Sequence, residues 1–158
     1  MNNCKILRSS AWSRDAIKEY LAETVIPVRL AAVDSDAAPI VMSLWFQFRD
    51  GAIWCATQSE ARLVKLLRAN PAVGFEIAGD TPPYFGVRGQ GRVELSAADG
   101  AATLEKLIDR YLAGRESGLA RWLLARREDE VAIRIQPAWV TAWDYRERMQ
   151  AAAGGQSA

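Results

Sequence analysis

The stretch from Arg29 to Leu95 most constrains what this chain can fold into, because strand-like, helical and again strand-like periods follow one another without a break. Val28 to Val33 reads as a strand, Asp34-Ser35-Asp36 as a turn, and Pro39 to Phe48 as a second strand. Arg49-Asp50-Gly51 turns the chain, and Ala52 to Thr57 returns as a third strand. Ser59 to Asn70 then takes a helical period, closed by Asn70-Pro71. Strands resume at Ala72 to Ala78 and at Tyr84 to Leu95. Antiparallel strands interrupted by one cationic helix can build an anion site on a barrel.

The flanks fit one module. Ser13 can cap a helix reaching about Glu23, with Ile17, Tyr20 and Leu21 on one face. A second helix opens after Ser96-Ala97-Ala98-Asp99, carries Leu104, Leu107, Ile108, Tyr111 and Leu112 on one side, and ends at Gly114. Gly118 to Arg127 reads as a short helix around Leu119, Trp122 and Leu123. Val131 to Ile135 is a strand that Pro137 is expected to break before Trp139 to Trp143 resumes it. We expect a single domain over residues 1–148 and a small, polar, disordered tail over 149–158.

Composition narrows the chemistry. At 158 residues one domain can bury most of its apolar surface. A net charge of +1 gives no general pull toward nucleic acid or an anionic membrane. The sequence contains no histidine, which removes histidine-dependent triads, histidine-ligated metals and the commonest general base. Two cysteines are too few for a zinc site or a disulfide framework, and they suit a reducing compartment. Lys5, Arg8, Arg14 and Asp15 interrupt any apolar run near the start, so a cytoplasmic location is expected.

The helix after Ser59 carries the best chemical signal. Leu63, Val64, Leu66 and Leu67 form its apolar side, while Arg62, Lys65 and Arg68 form a cationic row. Like charges three apart weaken a helix by a few tenths of a kcal/mol each. An anion near the helix start would offset that, with Thr57 and Ser59 as further donors. The other reading is a solvated charged face with Ser59 as an ordinary N-cap. In the strand from Tyr84, Gly89 and Gly91 share one face and Arg88, Gln90 and Arg92 the other. Those glycines mark either a close approach by a ligand or a bulge. Trp45 falls on the face opposite Phe46 and Phe48, and a homodimer is the economical cover for a strand apolar on both sides.

The segments RLAAVDSDAAPIVMSLWFQFRDGAIWCAT, ARLVKLLRANPAVGFEI, PPYFGVRGQGRVEL and WVTAWDY, in this order and spacing, resemble the pyridoxamine 5′-phosphate oxidase-like family of flavin-binding split barrels. The resemblance spans roughly Val25 to Tyr145. It implies an α+β fold, mainly β: a six-stranded antiparallel Greek-key split barrel with peripheral helices. It also implies a homodimer with flavin sites between subunits and redox chemistry on a small-molecule substrate, carried by FMN or by a deazaflavin. By this resemblance Met42, Ser43, Leu44 and Trp45 lie along the flavin ring, Thr57 stands near the phosphate and Arg62 grips it. Leu63 replaces the family's usual lysine, and Lys65 is the candidate substitute; Arg88 completes the cofactor-binding set. Met42 and Gln47 stand where pyridoxamine-phosphate oxidases place an arginine and a lysine, and Trp143-Asp144-Tyr145 lacks their arginine-containing ending. The resemblance therefore does not extend to pyridoxamine phosphate as substrate, and no catalytic residue is assigned. A flavin- or haem-binding protein without turnover, or a cofactor-free dimeric interaction domain, would use the same frame.

Overall fold

The computed structural model describes residues 1, 4–112 and 114–154. Its strands are β1 (Lys5–Ile6), β2 (Val28–Val33), β3 (Pro39–Leu44), β4 (Gln47–Arg49), β5 (Ala52–Gln58), β6 (Ala72–Ala78), β7 (Phe85–Ser96) and β8 (Glu130–Asp144). Its helices are α1 (Arg14–Glu23), α2 (Arg62–Ala69), α3 (Gly100–Tyr111), α4 (Gly118–Leu124) and α5 (Arg146–Gly154). The fold is mixed α+β around one eight-stranded sheet in the order β3-β2-β6-β7-β8-β5-β4, with β1 added in parallel to β8 and every other pairing antiparallel.

The expected six strands are therefore eight segments, and the sheet is not closed. The second expected strand divides at Trp45-Phe46, so β3 pairs with β2 while β4 pairs with β5. These two halves are the opposite ends of the hydrogen-bonded path. Strand alternation sets what is buried. Val28, Leu30 and Ala32 of β2 are fully buried, and Arg29, Ala31 and Val33 between them are not. Together with Phe46, Ile77, Ile133 and Ile135 they make the interior, onto which α1 lays Ile17 and Leu21. Ser13 caps α1 as its sequence suggests, accepting the Ala16 N–H at 3.3 Å.

Four local expectations change or are resolved. Pro137 does not break β8, because it sits at a bulge: it faces Gly91 while Trp139 faces Gln90, leaving the exposed Ala138 as the extra residue. A proline without an N–H is tolerated where the ladder is already interrupted. The glycines of β7 serve the same close approach, since a Cβ on Gly89 would strike the Trp139 carbonyl and lie 2.7 Å from Phe75 Cζ. They accommodate backbone and a core ring rather than a ligand. Ser59 does not cap α2; Ala61 holds the N-cap position without a side-chain bond, and the Ser59 N–H donates to the Asp129 carbonyl at 2.8 Å. Finally, the expected tail begins inside α5, which runs to Gly154, and its last four residues lie outside the described ones.

Candidate functional site

The bend between β3 and β4 creates the site. At Trp45-Phe46 successive side chains take opposite sides: Phe46 enters the core with no exposure, and Trp45 turns toward α3. There it stacks on Tyr111, with ring centroids 5.1 Å apart and planes 11° from parallel. The Tyr111 hydroxyl accepts the Phe46 N–H at 3.2 Å and donates to the Ile26 carbonyl at 2.9 Å. One side chain thus ties the bend to the segment that leads into β2. The cover expected of a dimer partner over Trp45 is supplied, at this ring, by the chain's own α3.

Beside Trp45 opens a cleft of about 350 Å³. Ser43, Leu44 and Trp45 form one side and Ala56, Thr57 and Gln58 at the end of β5 the next. Leu104 and Leu107 of α3 and Leu119, Trp122 and Leu123 of α4 make an apolar roof. Ser117 fixes that roof by capping α4, accepting the Ala120 N–H at 3.0 Å. Leu119 and Trp122 remain about half exposed at the rim, at 49% and 56%. The volume lies at the lower end of small-molecule sites, and the mix of apolar walls with a few polar groups is typical of them.

The polar end of the cleft is a short relay. An Arg126 N–H donates to Gln58 Oε1 at 2.9 Å, and the Gln58 amide donates to Glu130 Oε1. The Arg126 guanidinium lies over the Trp122 ring, 5.1 Å from its centroid. Glu130 is only 4% exposed, and its Oε2 has no hydrogen-bond partner. Burial raises its pKa above the usual carboxylate range, while the Gln58 amide and Arg126 pull it back. Gly100 places Glu130 there: any Cβ on Gly100 would strike the Glu130 carbonyl, so α3 can start directly against β8. Sequence reasoning missed Glu130 and Gln58. An acidic residue opening a strand after Glu128 and Asp129 carries no spacing that separates it from a solvated loop.

Of the residues singled out by sequence, Ser43, Leu44, Trp45 and Thr57 converge on the cleft. The others stand apart from it. Met42 is half-buried against the core. Arg62 and Lys65 project from α2, 75% and 65% exposed, each beside an acid: Arg62 is 3.9 Å from Asp34 and Lys65 is 3.8 Å from Glu60. Arg88 lies on the outer face of β7, its guanidinium 5.5 Å from the Trp143 ring centroid, along a shallow groove with Arg29, Val41, Glu76 and Trp139. Leu63 is buried in the core at 4% exposure and does not face outward with the cations. Among the described residues no cluster of acidic and cysteine side chains could hold a metal ion, and no helix is long and apolar enough to cross a membrane.

Comparison with known proteins follows this geometry. A family model described as pyridoxamine 5′-phosphate oxidase matches residues 13–144. A conserved hypothetical protein from Mycobacterium tuberculosis superposes with a TM-score of 0.75 at 22% identity, covering 92% of each chain. An F420 reductase superposes with a TM-score of 0.66 at 27% identity, covering 78% of this chain and 94% of the other. A FAD-binding protein from Mesorhizobium loti gives a TM-score of 0.60 at 20% identity, covering 83% of this chain and 92% of the other. No curated protein matches the sequence. With 13–144 matched, and with the fold shared by these structures, the chain belongs to the pyridoxamine 5′-phosphate oxidase-like family of split-barrel proteins.

Proposed function

We propose that this protein is an FMN-dependent oxidoreductase acting on a small substrate, and that the cleft beside Trp45 receives the flavin ring. One observation carries the reading. Of the five residues that the family resemblance assigns to the ring and to the start of the phosphate site, all but Met42 meet at one apolar cleft: Ser43, Leu44, Trp45 and Thr57, drawn from two separate stretches of the sheet. The residues present suit such a group: a flat, half-buried indole beside a narrow space, apolar helices above it, and hydroxyl and amide groups at its edges. In this reading Trp45 and Leu44 position the ring, and the α3–α4 roof keeps water from it. Thr57 and then Arg62, at the uncapped start of α2, hold the phosphate. A bound flavin supplies the hydride transfer; the protein supplies binding, orientation and exclusion of water.

A deazaflavin is the second reading, favoured by the 27% identity to an F420 reductase. We further read β3 and β4 as the two halves of one bent strand of the family's split barrel. The protein would work as a homodimer through the outer face of the sheet, where Val41 is 63% exposed beside the small residues Ala31 and Gly74. The visible spectrum and mass of the chromophore that co-purifies with the protein test the reading. A flavin or deazaflavin supports it, and a colourless protein that neither cofactor can load contradicts it.

A further inference from the structure

The roof of the cleft is held differently from its other walls. Among the described residues from Gly114 to Asp129, Ala120 alone is buried, whereas the neighbouring α3 buries Thr103, Leu104, Leu107 and Ile108. A segment with so few apolar contacts opens at lower cost than the helix it leans on. The segment follows α3 through Gly114, whose φ of +140° is one that side-chain-bearing residues rarely adopt, and a Cβ there would meet nothing within 4 Å. The backbone can pivot at that point.

Polar tethers hold the segment at both ends. At its start Arg115 donates to Asp109 at 2.9 and 2.8 Å and to Glu105 at 3.1 Å, both on α3. At its end Arg126 donates to Gln58 Oε1 at 2.9 Å, and the Gln58 amide returns a longer bond to the Arg126 carbonyl at 3.5 Å. Between the tethers, Leu119 and Trp122 stand half exposed at the rim of an apolar cleft. A small swing of α4 over a flat ring would bury both of them.

We propose that residues 114–126 form a lid, pivoting at Gly114 and latched by Arg126 on Gln58, that closes Leu119 and Trp122 onto a ring bound in the cleft. This deepens the proposed function by adding how the site controls entry and release, and it rests on that reading for the identity of the ring. Arg115 does not line the cleft, so it is a positioning residue that acts on the ring only through the lid.

Amide hydrogen exchange read by mass spectrometry on the full chain, with and without FMN, follows the motion. Without FMN, the α4 amides should exchange at least about tenfold faster than those of Leu104 to Ile108 in α3. FMN should slow them. Arg115→Gln and Arg126→Met should each quicken exchange in α4 and leave that of Leu104 to Ile108 unchanged. In stopped flow, Arg115→Gln should release FMN about twofold to fivefold faster than the wild type, the range an exposed ion pair gives. Exchange in α4 as slow as in α3, bound FMN that leaves α4 exchange unaltered, or wild-type FMN release in Arg115→Gln overturns the proposal. The two readings fail separately. Rapid α4 exchange that both tether variants quicken, in a protein that binds no FMN, sustains the lid and removes the flavin. FMN bound beneath an α4 that exchanges as slowly as α3 sustains the flavin and removes the lid.

Discussion

Trp45 and Tyr111 lie face to face at 5.1 Å, and the Tyr111 hydroxyl bridges the Phe46 N–H and the Ile26 carbonyl. This pair joins the bend that divides β3 from β4 to the last turn of α3, so it fixes both the strand break and one wall of the cleft. Tyr111→Phe keeps the stack and removes the two hydrogen bonds, leaving a half-buried N–H and a carbonyl unpaired. A loss of about 1–3 kcal/mol is expected in urea unfolding. Tyr111→Ala also opens a cavity against Trp45 and should cost about 3–5 kcal/mol. A phenylalanine variant as stable as the wild type would mean the bend holds without the hydroxyl.

Leu63 stands where the family resemblance calls for lysine, yet it is buried in the core with 4% exposure. Leu63→Lys should therefore destabilise the fold by at least about 2 kcal/mol, because an unpaired ammonium would enter an apolar interior. It should not tighten FMN binding. Thermal melts paired with FMN titration read both effects, and tighter binding with an unchanged melt would contradict the placement of this side chain.

Arg62→Ala should weaken FMN binding by about 1.5–3 kcal/mol, the range for a hydrogen bond to a charged group. Folding should barely change, since Arg62 is 75% exposed and its partner Asp34 is 3.9 Å away. Lys65→Ala should cost less binding, since Lys65 lies a turn further along α2 beside Glu60. Fluorescence titration of the two variants measures the difference. Unaltered affinity in Arg62→Ala would reduce the cationic row to a solvated helix face.

Much of the fold was legible from period alone. The limits of β2 and β6 fall where the alternation begins and ends, and Ser13 caps α1 as its position suggests. What was not legible depends on contacts distant in sequence. The break at Trp45-Phe46 exists because Tyr111, sixty-five residues on from Phe46, holds it. Pro137 stays within β8 because Gly91 permits a bulge opposite it. For the site, the strand residues Ser43 to Trp45 came from the family resemblance, and Thr57 both from it and from its place just before the cationic helix. Gln58, Arg126 and Glu130 meet only through the pairing of β5 with β8, which no local pattern encodes.

Glu130 and Asp144, at the two ends of β8, should respond to pH with opposite signs. The folded-state pKa of Glu130 is raised, chiefly by burial, so its contribution is fully present below the unfolded carboxylate value, about pH 4, and is lost as pH rises through the folded value. Asp144 is held well below the usual carboxylate range by hydrogen bonds from Arg146 and from Trp12, the latter at 2.9 Å. Its contribution is present above about pH 4 and is lost only as pH falls through that depressed value into strong acid. Glu130→Gln should therefore gain stability relative to the wild type as pH rises from mildly acidic to alkaline. Asp144→Asn should be the less stable protein at neutral pH and approach the wild type in acid. Melting curves across pH check both, and curves that run parallel to the wild type would contradict the assigned causes.

The central claim is that a phosphate-bearing flavin or deazaflavin lies in the cleft between the Ser43–Trp45 edge and the α3–α4 roof. Calorimetric titration with FMN, riboflavin and F420, on the wild type and on Trp45→Ala, tests it most directly. We expect micromolar or tighter binding of FMN, riboflavin weaker by about tenfold or more for want of the charged contacts, and a marked loss of affinity in Trp45→Ala. F420 binding far above FMN would select the deazaflavin in the same cleft. Equal affinity for FMN and riboflavin, or cofactor binding indifferent to Trp45, would contradict the account.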